Sequence, residues 1–277
     1  MNQVNQPTPS LSAIGAFFFD MDGVIYRGNA VIPGAAALIS NLQKRRIPFL
    51  FLTNNATLTP AQFQAKLALM GISVDELTIF TSSLATAHWL AAQADPGAAV
   101  YVVGEAGLRE ALAQAGLTVT ADWRQAAWVA AGLDREATWS SLKDATLAIR
   151  AGARFVATNR DATLPSEEGE LPGAGAIVAF LRTASGVEPT VIGKPQVAMF
   201  EQALARAGVR AADAVMVGDR VETDIVGAQA AGLRTIGVLS GVSDAAAFAQ
   251  LDLPPTWLFA SVADINDALF GPAADAA

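Results

Sequence analysis

Phe17-Phe18-Phe19-Asp20-Met21-Asp22-Gly23-Val24 is the stretch from which the rest of the chain can be read. Three consecutive aromatics suit a strand buried on both faces, the pattern of parallel sheets. The run stops at Asp20, which then stands at the carboxyl end of the strand, where open α/β sheets bind their ligands. Asp22 follows in a loop that Gly23 lets bend sharply, so both carboxylates face one crevice from different heights. Carboxylates sharing a small volume repel each other, and a cation or divided acid and base roles resolve the repulsion. A divalent metal is the simpler expectation.

Downstream, Ala35, Leu38, Ile39 and Leu42 recur at helical spacing, and Lys44-Arg45-Arg46 suits a helix C-terminus. A second apolar strand, Pro48 to Leu52, ends in Thr53-Asn54-Asn55, and Thr59-Pro60-Ala61-Gln62 reads as N-cap, N1 proline and capping-box glutamine. A third strand is expected over Leu77 to Phe80, followed by a helix with Leu84 and Trp89. This alternation predicts a doubly wound parallel sheet. From Asp95-Pro96-Gly97 the rhythm changes to a β-α-β-β-α-β unit with short connections, running from Val100 to Ala157. It reads as an insertion, closed by a polar loop from Thr158 to Gly175 and a helix from about Ala176 to Ser185. The first pattern resumes with a strand at Thr190 to Ile192, the loop Gly193-Lys194-Pro195, a strand Ala214 to Val217 ending in Gly218-Asp219-Arg220, and a helix from about Asp224. The predicted organisation is a core over 13–84 and 179–271, an inserted α/β domain over 85–178, and flexible tails at 1–12 and 272–277.

Composition narrows the function. The chain has 277 residues, 52% of them hydrophobic, and a formal net charge of −8, which leaves no basic stripe for nucleic acid. It has no cysteine, so thiolate nucleophiles and thiolate metal sites are excluded, and its one histidine, His88, cannot build a multi-histidine cage. His88 reads as packing or surface, and the tryptophans of the insertion, Trp123, Trp128 and Trp139, as core. No stretch is uniformly apolar over the roughly 20 residues of a membrane span. Residues 1–12 lack a basic start and apolar run, so a soluble, cytoplasmic enzyme is expected.

Four apolar strands thus deliver polar residues just past their carboxyl ends: Asp20 and Asp22; Thr53 and Asn54; Lys194; Asp219 and Asp224. In a parallel sheet those ends share an edge. Carboxylates suit a hard cation such as Mg²⁺, the hydroxyl and amide suit phosphate oxygens, and the lysine supplies a point charge. That inventory fits phosphoryl transfer, with a carboxylate available as nucleophile. Asp224 also suits the first turn of the helix it begins.

In this order the motifs Asp20-Met-Asp22-Gly-Val, Leu52-Thr53-Asn54-Asn55, Gly193-Lys194-Pro195 and Gly218-Asp219-Arg-Val-Glu-Thr-Asp224 resemble those of haloacid dehalogenase-like phosphatases. The likeness extends along essentially the whole chain and is narrower to the NagD-type nitrophenyl, phosphoglycolate and pyridoxal phosphate phosphatases. The subfamily also carries an α/β cap between its second and third motifs and has segments similar to Ala157-Thr-Asn-Arg-Asp161 and Pro172-Gly-Ala-Gly-Ala176. The resemblance implies Asp20 as nucleophile and Asp22 as acid and base. Mg²⁺ would be held by Asp20, the Asp22 carbonyl and Asp219, with Asp224 as direct or indirect support. Thr53 and Asn54 would hold phosphoryl oxygens, Asn55 would lie at the substrate mouth, and Lys194 would offset negative charge. The substrate would be a small phosphorylated metabolite, and related enzymes dimerise through the cap. A phosphomutase on the same scaffold and a receiver-like phospho-acceptor module are the alternatives. The cap loop has no histidine and offers Asp161, Thr163 and Leu164 instead, which weakens the pyridoxal phosphate reading.

Overall fold

The computed structural model describes residues 10–166 and 169–271. The expected tails therefore fall largely outside the described residues, as do Glu167 and Glu168, while Leu11–Ala13 form a 3₁₀ turn capped by Ser10. The chain forms two compact units: the residues up to Leu50 with Met70–Ile72 and Leu204 onward, and Phe51–Leu69 with Ser73–Ala203.

In the first unit, parallel strands run in the order Trp257–Phe259, Arg234–Val238, Ala214–Gly218, Ala16–Phe19. Phe17, Phe18 and Phe19 are completely buried, as a strand covered on both faces requires. The next strand, Phe49–Thr53, belongs to both units. It starts beside Ala16–Phe19, where the Phe17 N–H donates to the Pro48 carbonyl at 3.0 Å. It ends in the second unit, paired in parallel with Ile79–Thr81. Helix Ala35–Lys44 buries Ala35, Leu38, Ile39 and Leu42, the periodic set read from the sequence. The predicted capping box is present in helix Pro60–Leu69, since the Thr59 N–H donates to Gln62 Oε1 (2.8 Å) and the Gln62 N–H to Thr59 Oγ1 (3.2 Å).

The second unit also holds a parallel five-stranded sheet in the order Thr190–Val191, Arg154–Ala157, Trp128–Ala131, Ala99–Val103, Thr118–Thr120. Counting its strands along the chain gives 2-1-3-4-5, the flavodoxin-like doubly wound order. Helices Trp139–Arg150 and Ala174–Ser185 supply Ala145, Ala148, Ile149, Val178 and Leu181 to its core beside Tyr101, Val129 and Phe155.

Several expectations change. The strand expected over Leu77 to Phe80 is Ile79–Thr81; Leu77 is 64% exposed in a 3₁₀ turn capped by Asp75, whose carboxylate competes for its N–H. Thr190–Val191 pairs with Arg154–Ala157 in the five-stranded sheet instead of resuming the first one. The loop Thr158 to Gly175 contains an antiparallel hairpin, Thr163–Ser166 with Gly169–Pro172. Trp128 is core, but Trp139 is 73% exposed, because it opens its helix with no preceding turn to cover it, its ring edge-on to Phe180. His88 is exposed, as expected. No helix among the described residues is long and apolar enough to cross a membrane.

Candidate active site

The first unit assembles the acidic group. Asp20 directly follows the strand Ala16–Phe19, its N–H donating to the Val217 carbonyl at 2.9 Å, and Asp219 directly follows Ala214–Gly218. Parallel pairing of the two strands therefore brings residues almost 200 positions apart together. Asp20, Asp219 and Asp224 are all buried, and each contributes a carboxylate oxygen within 4.8 Å of the others. Asp219 and Asp224 have no exposed surface.

Main-chain donors hold these acids. Asp219 Oδ2 accepts the Val242 N–H at 2.8 Å, and Asp224 Oδ2 accepts the Arg220 N–H at 3.1 Å. The helix expected from Asp224 opens earlier, as the π-turn Val221–Val226, a geometry found often at functional positions. Asp224 therefore lies in the first turn, as the sequence suggested, and its carboxylate also joins the acidic group. Glycine makes room for Asp219. A Cβ on Gly241 would lie 1.9 Å from Asp219 Oδ2, and one on Gly23, whose φ is +85°, would lie 2.4 Å from the same atom. The loop carrying Gly241 is fastened to the segment after Asp22: Ser240 Oγ donates to the Gly23 carbonyl at 2.7 Å, and the Arg27 guanidinium donates to the Ser240 carbonyl.

Asp22 is half-buried and pairs with Tyr26 in an isolated bridge. Its carboxylate does not belong to the group of three. Tyr26, 2% exposed, marks the field of the site: burial pushes its phenol far above the ordinary value, and the negative charges of Asp22 and then Asp20 push it further.

The second unit assembles the donor group. Thr53 ends its strand 5% exposed, with Oγ1 accepting the Asn55 N–H at 3.1 Å. Asn55 is exposed and accepts from the Thr57 N–H (3.0 Å) and hydroxyl (2.7 Å). Lys194, 2% exposed, donates from Nζ to the Leu52 carbonyl at 2.9 Å. The Asn54 side-chain nitrogen donates to the Lys194 carbonyl at 2.9 Å and to the Asp161 carboxylate at 3.1 and 3.2 Å. The amide hydrogens that the family resemblance gives to phosphoryl oxygens are thus engaged within the chain. Tyr26, Ser82 and the loop Ser240 to Ser243 were not singled out from the sequence, because a buried tyrosine, a hydroxyl at a strand end and a backbone donor leave no distinctive pattern.

These acids suit a hard divalent cation: three buried carboxylates converge in space that two glycines keep open, and their ligand atoms are all oxygen.

Comparison with known proteins agrees with this geometry. The model for haloacid dehalogenase-like hydrolases matches residues 17–118, and a HAD-hydrolase-like model matches 191–265. The chain is 40% identical over 254 residues to the acid sugar phosphatase of Staphylococcus epidermidis, an alignment covering 92% of this chain and 96% of that one. The crystal structure of glycerol phosphate phosphatase from Mycobacterium tuberculosis in complex with magnesium superposes with a TM-score of 0.85 at 39% identity, over 90% of this chain and 76% of that one. NagD from E. coli K-12 gives a TM-score of 0.84 at 33% identity, over 91% and 98%. With two family models matched in order and relatives this similar over three quarters or more of their length, the chain belongs to the haloacid dehalogenase-like hydrolases, in their NagD-like subfamily.

Proposed function

We propose that this HAD-type phosphatase hydrolyses small phosphate monoesters, sugar and glycerol phosphates foremost, in a magnesium-dependent reaction through an aspartyl-phosphate. The observation that carries the reading is the convergence of Asp20, Asp219 and Asp224 within 4.8 Å of one another. The names of the relatives, acid sugar phosphatase and glycerol phosphate phosphatase, support the substrate class.

Asp20, Asp219 and Asp224 would hold the magnesium ion, joined by the Asp22 carbonyl. The ion supplies charge neutralisation that keeps Asp20 ionised beside a phosphate dianion. Asp20 attacks phosphorus in line while Asp22, outside the group of three, donates its proton to the leaving alkoxide. Asp22, now a carboxylate, takes a proton from water as it attacks the phosphoryl group, which returns Asp20 and releases phosphate. Thr53 and Lys194 are the proposed phosphoryl contacts, with Asn54 fixed between Lys194 and Asp161 and Asn55 toward the alcohol. The Thr53 oxygen already accepts a main-chain N–H, which leaves its hydrogen to donate. The inserted domain, proposed at 85–178, selects the alcohol.

Hydrolysis of p-nitrophenyl phosphate and of a panel of sugar and glycerol phosphates, with and without Mg²⁺, tests the reading. Phosphate release from p-nitrophenyl phosphate that needs Mg²⁺ and disappears in Asp20→Asn is the expected result. Full activity in that variant, or conversion of sugar phosphate isomers without phosphate release, would refute it.

A further inference from the structure

Asn54 is 9% exposed, and every hydrogen on its side-chain nitrogen is spent. One goes to the Lys194 carbonyl at 2.9 Å. The other is shared between the two oxygens of Asp161, at 3.2 and 3.1 Å. The main chain of Asn54 is gripped as well: its carbonyl accepts from Ser82 Oγ and from Asn159 Nδ2, each at 2.7 Å. Asn159 Oδ1 in turn accepts the Asp161 N–H at 3.0 Å. The loop after strand Arg154–Ala157 therefore holds Asn54 by its backbone and by its amide.

A carboxylate only accepts hydrogen bonds, so Asp161 permits one orientation of the planar Asn54 amide. The nitrogen faces Asp161 and the Lys194 carbonyl, and the oxygen faces Gly193, where a Cβ would lie only 2.7 Å away. A flipped amide would set acceptor against acceptor at both partners. A neutral side chain could brace the loop equally well, and a negative charge beside phosphate-binding groups costs affinity. The Lys194 carbonyl sets the same orientation, and the carboxylate reinforces it with two acceptor oxygens that offer the amide oxygen no donor.

We infer that Asp161 is a positioning residue of this reaction: it locks the Asn54 amide, and through it the main chain of Lys194, in the geometry that serves the phosphoryl group. The inference rests on the phosphatase reading. In Asp161→Ala, kcat for p-nitrophenyl phosphate falls between about tenfold and a hundredfold, the scale of a misplaced catalytic group, while KM stays within about twofold. Asp161→Asn, which keeps one acceptor oxygen, recovers part of the loss and carries the test if the alanine variant does not fold. Asn54→Ala combined with Asp161→Ala is no slower than Asn54→Ala alone, because both remove the same link. Losses that multiply, or a wild-type kcat in both Asp161 variants, would overturn the inference and leave the Asp20 chemistry standing. A second readout needs no turnover: by NMR, the Asn54 side-chain amide protons exchange slowly in the wild-type chain and at least tenfold faster in Asp161→Ala. Unchanged exchange would overturn the inference even if no phosphate ester proved to be a substrate.

Discussion

The acidic group of the first unit and the donor group of the second are held by opposite means. Around Asp219 and Asp224 the main chain donates, through the Val242 and Arg220 N–H groups. Around Asn54 and Lys194 the main chain accepts, at the Lys194 and Leu52 carbonyls. Each group of side chains is thus matched to the backbone polarity that it lacks. Acids fixed by main-chain N–H groups keep their positions while their summed negative charge still calls for a cation, whereas the donors fixed by carbonyls need no ion to assemble. The two groups should therefore respond differently to substitution and to metal.

The largest difference is expected at Asp20. Replacing the proposed nucleophile by asparagine would remove the proposed covalent step, and kcat should fall by at least about a thousandfold. Lys194→Ala, which removes charge compensation but no bond-forming atom, should cost about a hundredfold. Steady-state kinetics on p-nitrophenyl phosphate compare the two, and an equal loss would mean that the division into bond-making and charge-compensating groups is wrong.

Metal removal comes next. Dialysis against EDTA should abolish activity, and Mg²⁺ at about a hundred times its dissociation constant should add roughly 2.7 kcal/mol to stability. Asp224→Asn should raise the Mg²⁺ concentration needed for half-maximal activity about tenfold, whereas Asn54→Ala should leave that midpoint unmoved. A midpoint shifted equally by both variants would erase the distinction between the groups.

The sequence displayed these groups unequally. The aspartates were legible because each follows an unbroken apolar run, and a strand pattern fixes where the chain emerges: Ala16–Phe19 and Ala214–Gly218 pair in register and deliver Asp20 and Asp219 side by side. The Thr59 and Gln62 cap was legible for a similar reason, being local chemistry at fixed spacing. Thr190–Val191 was not, since two residues of strand do not say which of two parallel sheets they join. The hairpin at Thr163–Ser166 and Gly169–Pro172 hid inside a polar stretch with no apolar alternation, and its pairing depends on the partner strand alone. Asp161 carried a family signature but no role, because its partner Asn54 lies 107 positions away.

A subtler comparison concerns the space around Asp219. Gly241→Ala places a methyl carbon 1.9 Å from Asp219 Oδ2 in the present geometry, so the carboxylate or the Val242 loop must shift. Mg²⁺ affinity should weaken about tenfold, the usual scale for disturbing a group that orients a metal ligand. Titration of activity with Mg²⁺ measures it. Gly116→Ala is the control: it has positive φ, +81°, which Gly241 does not, but open space where the methyl would go. It should cost about 1 kcal/mol of stability through backbone strain and leave Mg²⁺ affinity unchanged.

The smallest effect belongs to a carboxylate that carries its own cation. Glu105 accepts from the Arg135 main-chain N–H at 3.1 Å and forms a forked pair with its guanidinium at 2.8 and 2.7 Å. Burial alone pushes the Glu105 carboxyl up, but the hydrogen bonds and charge of Arg135 outweigh it and hold the group below its ordinary value of 4.5. A depressed carboxyl contributes stability above 4.5, and that contribution is lost as pH falls through the lower folded value. Arg135 is 63% exposed, so solvent screens the pair and limits its contribution to about 1 kcal/mol or less. Glu105→Gln should therefore lower stability slightly at pH 7 and, because a protonated glutamate resembles glutamine, by less as pH falls below 4.5 toward 3. Urea unfolding of both proteins at pH 7 and pH 3 measures this, and a deficit undiminished at pH 3 would mean that Glu105 acts through packing and not through charge. Mg²⁺ should leave the pH 7 deficit unchanged, since Glu105 draws its cation from the chain, whereas the acidic group of the first unit is proposed to draw its own from solution.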